Sequence, residues 1–285
     1  IGTTGGEWVP SSTGAVITPS DITVRRQTTH GSAQVVPVRV DNIVLFVQRA
    51  KRKIREFGFT FETDGYRAFD MTRLAQHITI GGIVEMDHAE EPYSQVWVVR
   101  ADGQLPAMTF RRQEDVVGWS RHILGGAFGT GDAIVESVSV IAGSNGAGQH
   151  HDSTSRDEVW IQVKRTINSA TVRYIEMFER DYDTTHDATD AIYSDSCITY
   201  SGGSTSTITG LGHLEGQTVK VWANSAVQAD KVVSSGSITL DTASTKVQIG
   251  LSFTHKLTTL KIEGGNKAGT SVGKIKRFSG VTFVL

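Results

Sequence analysis

Apolar and polar residues alternate over short stretches along most of the chain, and glycine, asparagine, aspartate and serine stand between the stretches. β-Branched and aromatic runs bounded by turn residues predict strands. Gln95-Val96-Trp97-Val98-Val99-Arg100 is followed by Ala101-Asp102-Gly103-Gln104, where Asp-Gly tolerates the positive φ of a tight hairpin. Leu105–Phe110 runs back, and Pro106 predicts that it starts late or lies at an edge. The same order recurs twice. Val44–Arg49 turns through basic residues into Lys53–Phe59, and Glu158–Arg165 turns at Asn168 into Ala170–Glu176. Each copy is an apolar strand closed by a basic residue (Arg49, Arg100, Arg165), a turn, and a strand ending in aromatics. A further short strand precedes each copy, at Val35–Val38, Gly82–Met86 and Val135–Ile141. A small antiparallel sheet cannot bury both faces alone, and stacking such sheets radially does so. The pattern therefore predicts propeller-like blades carrying insertions, with hairpins 44–57, 96–110 and 159–176 in equivalent places. Leu45, Trp97 and Trp160 are expected to be buried between blades. A plain β-sandwich is the other arrangement the pattern allows.

One helix is predicted, over Asp70–Ile78. Asp70 would cap it, Leu74, Ala75 and Ile78 share a face, and Gly81-Gly82 would stop it. Residues 180–190 are acidic and aperiodic and read as a linker. Shorter strands follow at Thr205–Thr209, Thr218–Ala223, Lys231–Val233, Ser237–Leu240, Lys246–Ile249 and Leu257–Glu263. The expected organisation is all-β: a propeller-like domain over 1–180, an acidic linker over 181–195, and a small β-barrel or β-sandwich over 196–285.

Composition narrows the function classes. The 28 Lys+Arg nearly cancel the 30 Asp+Glu, giving a net charge of −2, so the chain does not read as a basic nucleic-acid binder. No run approaches the ~18 apolar residues of a membrane span. The single cysteine, Cys197, excludes an internal disulfide framework and suits folding in a reducing cytoplasm. The apolar start at Ile1 and the strand-like end at Val281–Leu285 lead us to expect a fragment of a longer polypeptide.

Six strings carry a family resemblance, in order along nearly the whole chain. They are Ile1-Gly2-Thr3-Thr4-Gly5-Gly6-Glu7-Trp8, Val24-Arg25-Arg26-Gln27-Thr28-Thr29-His30-Gly31-Ser32, Val44–Arg49, Arg55-Glu56-Phe57, His213–Val219 and Val247–Leu251. As a set the chain resembles the tail nozzle, or tail tubular, proteins of short-tailed bacteriophages. The resemblance implies a virion structural protein at the tail tip, folded in the host cytoplasm. It implies six copies in a ring, joined to an adaptor ring and to fibres, around the channel through which duplex DNA leaves. It carries over no catalytic motif, no cofactor and no metal.

The residues themselves offer weak chemistry. Gly269–Ile275 is one residue short of a phosphate loop, and Ile275 stands where Ser or Thr must reach magnesium. Gly126–Gly131 lacks the order and the βαβ context of a dinucleotide fingerprint, and Gly143–Gly146 does not match a nucleophile elbow. His150-His151-Asp152 is the best metal candidate, but adjacent strand residues point to opposite faces, and a Gly/Ser-rich loop offers no further ligands. Asp181, Asp183, Asp187 and Asp190 lack the glycine of a calcium loop. Arg49, Lys51, Arg52, Lys53 and Arg55 form the densest basic patch and read first as a solvated turn. A conduit should not grip DNA, since each phosphate held by Lys or Arg adds salt-dependent affinity. Three functions remain open: a ring or conduit subunit, a carbohydrate- or receptor-binding module, and a hydrolase on a propeller, which would need carboxylates converging in one cleft.

Overall fold

The computed structural model describes residues 1–14, 16–143, 156–179, 182, 187–258, 275 and 280. The protein is all-β. Among the described residues the only helical segments are four three-residue 3-10 turns. Residues 1–253 form one compact unit and 254–285 a second, in which 254–258 run without regular secondary structure.

An N-terminal ribbon of β1 (Gly2–Thr3), β2 (Gly6–Ser11) and β3 (Thr23–Thr28) is followed by three separate antiparallel meanders. Sheet I holds β4 (Val38–Val40), β5 (Ile43–Val47), β6 (Ile54–Thr60) and β7 (Gly65–Asp70). Sheet II holds β8 (Ile83–Ala89), β9 (Gln95–Arg100), β10 (Leu105–Arg111) and β11 (Val116–His122). A short ribbon, β12 (Ala127–Phe128) with β13 (Gly131–Asp132), leads to sheet III: β14 (Ile134–Ile141), β15 (Glu158–Ile167) and β16 (Ala170–Met177). The three hairpins foreseen in the sequence are the second and third strands of their sheets, and the sheets do not merge into one.

Burial explains the stacking. Ile43, Leu45 and Val47 of β5 meet Met86, Val96 and Val98 of sheet II in one core cluster. Trp97, Val99, Leu105 and Ala107, on the opposite face of sheet II, meet Val138, Val159, Ile161 and Val163 of sheet III in a second. The period of two along β9 thus sends successive residues into different cores, and five of its six positions are buried. Pro106 is buried in an interior strand. It pairs with Arg121 of β11, while pairing with β9 begins only at Ala107, so the late start holds on that side.

Trp160 departs from the expectation. Pairing opposite Ser139 and Met177, it points away from sheet II, just as Leu45 and Trp97 point away from the preceding side of their sheets. It is only half-buried, because none of the described residues form a sheet over that face.

The helix predicted over Asp70–Ile78 is also absent. The segment is a chain of tight turns, with Thr72 O accepting from Ala75 N and Ala75 O from Ile78 N, each at 2.9 Å. Asp70 caps a turn by accepting from the Thr72 N–H and hydroxyl. The Arg100 guanidinium takes the Ile78 carbonyl at 2.7 Å, and Thr79 is held by its hydroxyl on Arg52 O. With its polar groups claimed from outside, the segment has no need of an i→i+4 ladder, and Leu74 lies 96% exposed.

Two buried arginines lock the connectors. Arg100, 5% exposed, closes β9 and reaches the connector between sheets I and II. Arg165, fully buried on β15, donates through Nε to Gly125 O at 2.8 Å and pairs with Glu176. Both connectors need glycine: a Cβ at Gly81 would lie 2.6 Å from Arg100 Nη2, and one at Gly126 2.9 Å from Arg165 Cδ. Arg49, the third basic residue of the repeat, is exposed.

Sheet IV, of β17 (Asp195–Thr209), β18 (Thr218–Ala223), β19 (Ala226–Val232) and β20 (Ser237–Leu251), runs in the order β17-β20-β18-β19 and is not closed into a barrel. The strands expected at 237–240 and 246–249 are one 15-residue strand, irregularly paired with β17. Sheet IV has its own core, in which Ile208 and Ile238 meet Val219, Val221, Val247 and Ile249. It touches the stack through Asp195, which accepts from Gly125 N at 2.6 Å. The strand expected at 257–263 falls mostly outside the described residues.

Two stability predictions follow from this packing. Trp97→Ala is expected to cost about 3–5 kcal/mol, as for a core aromatic, and Trp160→Ala clearly less; urea melts of the two variants compare them. Arg165→Ala is expected to cost about 3–5 kcal/mol by stranding Glu176, while Arg165→Met with Glu176→Leu costs less than the single change. Equal losses in that second pair of melts would disprove the buried-pair account.

Candidate functional site: the cleft between the first strands

The first strand of each meander is an edge strand, and all three edges face one cleft of about 930 Å³. Its walls are residues 34–39, leading into β4, 84–88 of β8 and 136–139 of β14. An unpaired edge exposes backbone N–H groups that would recruit another strand. Here β8 blunts the edge of β14. Glu85 Oε2 accepts from Val138 N at 3.1 Å and Asp87 Oδ2 from Val140 N at 2.7 Å. These contacts require Glu85 and Asp87 to project from the sheet III side of sheet II, where their pairing opposite Val99 and Trp97 puts them.

At the rim, Glu136 occupies a bulge of β14 and accepts from Arg173 at 2.7 Å and 3.2 Å, with Lys164 Nζ at 3.0 Å. Hydrogen bonding from Arg173, then Lys164, lowers its carboxyl from the usual 4.5 to about 2. On the β8 wall His88 Nε2 lies 3.0 Å from Ser94 Oγ. Burial pushes this imidazole below its ordinary value, against the upward pull of Glu90 and Asp157. A serine beside a histidine is two members of a nucleophilic triad. Among the described residues no carboxylate hydrogen-bonds to the other ring nitrogen, and no group of three His, Cys, Asp or Glu converges on a metal position. Glu85 and Asp87 are already engaged with backbone amides, so the cleft is a lined and capped groove.

The residues singled out from sequence scatter. His150, His151, Asp152, Asp181 and Asp183 lie outside the described residues, as do 144–146 and 269–274. Asp187 accepts from Thr189 N at 2.9 Å and caps a 3-10 turn, and Asp190 pairs with Lys246, so both have structural work. Gly126–Gly131 forms the β12–β13 ribbon. In the basic patch, Lys53 pairs with Asp70 at 2.7 Å and Arg55 donates to Ala68 O and Gln48 Oε1. Arg49, Lys51 and Arg52 remain on the surface of the turn. Trp97, Trp160 and Trp222 all sit within strands. Sequence reasoning missed Glu85, Asp87 and Glu136. Their partners lie 53, 53 and 37 residues away, and no local pattern marks them.

Comparison of the chain with protein-family models gives no match, and comparison with curated proteins gives none that is significant. No helix of the described residues is long and apolar enough to cross a membrane.

The Glu136 cluster predicts an acid-dependent stability term. A carboxylate whose folded value is depressed stabilises the fold above its unfolded value, and that contribution is lost as pH falls through the folded one. The Tm difference between wild type and Glu136→Gln is therefore expected to be fully present above 4.5 and to shrink as pH falls towards about 2. A difference constant over that window would remove Glu136 from the account.

Proposed function

We propose that the protein is a structural subunit of a short-tailed phage tail, placed with further copies around the channel through which DNA leaves. The observation that carries this reading is the unfinished sheet stack. Among the described residues the outer face of sheet III leaves Ile141 54% and Ile175 75% exposed, and at the tip of sheet I Phe59 is 43% and Phe61 90% exposed. Extended apolar patches of this kind mark surfaces that meet other protein. The ordered resemblance to tail nozzle proteins supports the same reading. So does the cleft, where Glu85 and Asp87 serve backbone amides, Glu136 is held by Arg173 and Lys164, and the character is acidic rather than phosphate-binding.

A carbohydrate- or receptor-binding module is the second reading. It is favoured by a ladder of rings on sheet I, where Phe57 stacks on Tyr66 at 5.0 Å and Phe59 meets Tyr66 and Phe61 edge-on at 5.6 Å each. Four of the five rings in that ladder are phenylalanine, counting Phe46 against Phe57. They lack the polar handles that orient a sugar, which turns the ladder towards a protein partner.

Electron microscopy of phage tails labelled with antibody against this chain tests the proposal. Label at the distal end of the tail is the expected result. Label confined to the fibres or the capsid would favour the second reading and overturn the first. Binding of duplex DNA by the isolated chain is expected to be weak, in the range of about 10⁻⁴–10⁻⁶ M typical of non-specific contacts, and independent of sequence.

A further inference from the structure

Of the three strand edges that face the cleft, β8 is the one left open. Phe110 N donates to Ser94 O and Arg100 N to Gln104 O, so the even-numbered residues from 94 to 100 bond towards β10. Antiparallel bonding alternates, and the odd-numbered ones therefore bond to β8, at Glu85, Asp87 and Ala89. The amides and carbonyls of Met86 and His88 are left pointing out of sheet II into the cleft, which both residues line. Asp87 Oδ1 takes the His88 N–H at 2.9 Å. Among the described residues no side chain takes the Met86 N–H, the Met86 carbonyl or the His88 carbonyl. The other two edges differ. Glu85 and Asp87 cap the outward amides of β14, and β4 is three residues long and follows Pro37, which has no N–H to offer.

The two walls would tell the sides of an incoming strand apart. A residue set against Met86 points as Met86 does, towards sheet I, because Met86 belongs to the core shared with that sheet. On that wall Val36 is 77% exposed. The residues before and after it point as Glu85 and Asp87 do, towards sheet III. Each of those carboxylates accepts from an amide of β14, and among the described residues neither forms an ion pair. Opposite charges on neighbouring strands attract when they share a face.

The geometry points to a docking site for an extended peptide segment of a partner protein, which adds a strand to β8 and presents a cationic, an apolar and a cationic side chain in succession. Main-chain bonds to Met86 hold such a strand, and the alternating side chains select it. A rise of 3.3 Å, a strand spacing of 4.8 Å and a sheet spacing of 10 Å give a packed strand residue about 160 Å³. The cleft of about 930 Å³ therefore takes a segment of about six residues. So small an interface lies well below the standard size of a stable complex, and binding is expected at about 10⁻⁵–10⁻³ M.

Fluorescence anisotropy with a labelled acetyl-Ser-Arg-Val-Lys-Ser-amide peptide and the whole chain tests this. Saturable binding in that range is the expected result. N-methylation of the valine removes the donor to the Met86 carbonyl without changing charge, and should weaken binding at least fivefold. A Ser-Glu-Val-Glu-Ser peptide should bind at least fivefold more weakly as well. Two exposed side chains on the cleft wall give the matching protein variants, with a thermal melt to show that both remain folded. Arg39→Glu should tighten binding of the cationic peptide, and Val84→Lys should weaken it. No saturation by about 1 mM, an unchanged affinity for the N-methylated peptide, equal affinity for the two charge forms, or variants that leave affinity unchanged would overturn the inference. None of these results depends on where the protein sits in a virion, so failure here and failure of the tail-labelling experiment are separable.

Discussion

Sheet II has no water-facing side to spare over its central strands. Val96 and Val98 point one way, Trp97 and Val99 the other, and all four are buried. A four-stranded sheet with two apolar faces is stable only between two others, so sheets I and III are held in place by the composition of β9 and β10. The charged groups at the sheet junctions follow from the same constraint. Closing a stack of separate meanders leaves strand edges and connectors buried between sheets, and each must find a polar partner. Arg100 takes the Ile78 carbonyl, Arg165 takes that of Gly125, and Glu85 and Asp87 take two amides of β14.

Polar contacts at the border of the first core cluster also tie sheet I to sheet II. Arg112, at the tip between β10 and β11, reaches Glu56 of sheet I at 3.1 Å. Burial raises the Glu56 carboxyl, and Arg112 pulls it back. Trp119 of β11 donates to Met71 O at 3.0 Å and ties the turn segment after sheet I to sheet II. The connectors are thus fixed by side chains from the following sheet.

How much of this was legible in the sequence depended on the range of the interaction. The hairpins were legible because Asp102-Gly103 and Asn168-Ser169 are local turn signals beside alternating strands. The recurring Arg49, Arg100 and Arg165 were visible as a pattern, but not that two are buried and one exposed. That difference goes with distant connector carbonyls, Ile78 O for Arg100 and Gly125 O for Arg165. Asp70–Ile78 misled because its apolar spacing fits a helix, while Arg100, some 20 residues on, and Arg52 decide its backbone. Trp160 could be oriented from its strand, yet its exposure depends on what lies across the face. Of the candidate site, the sequence marked the strands that wall the cleft and none of the carboxylates that line it. Glu85 and Asp87 act on backbone amides of another sheet, to which no residue type is tied, and Glu136 on Arg173 and Lys164, which lie 37 and 28 residues away in the chain.

Each meander is continuous in the chain, and this matters during synthesis. Sheet I is complete at Asp70, but the face bearing Ile43 and Leu45 has no cover until the strands of sheet II emerge, ending at His122. At about 5–20 residues per second a ribosome takes roughly 3–10 seconds over that interval. For those seconds the nascent chain displays a folded sheet with a bare apolar side, and the wait recurs for the Trp97 face until β15 is made. Nascent chains crowded on one message would meet through these same faces, so the order of translation decides whether a joint forms within a molecule or between two.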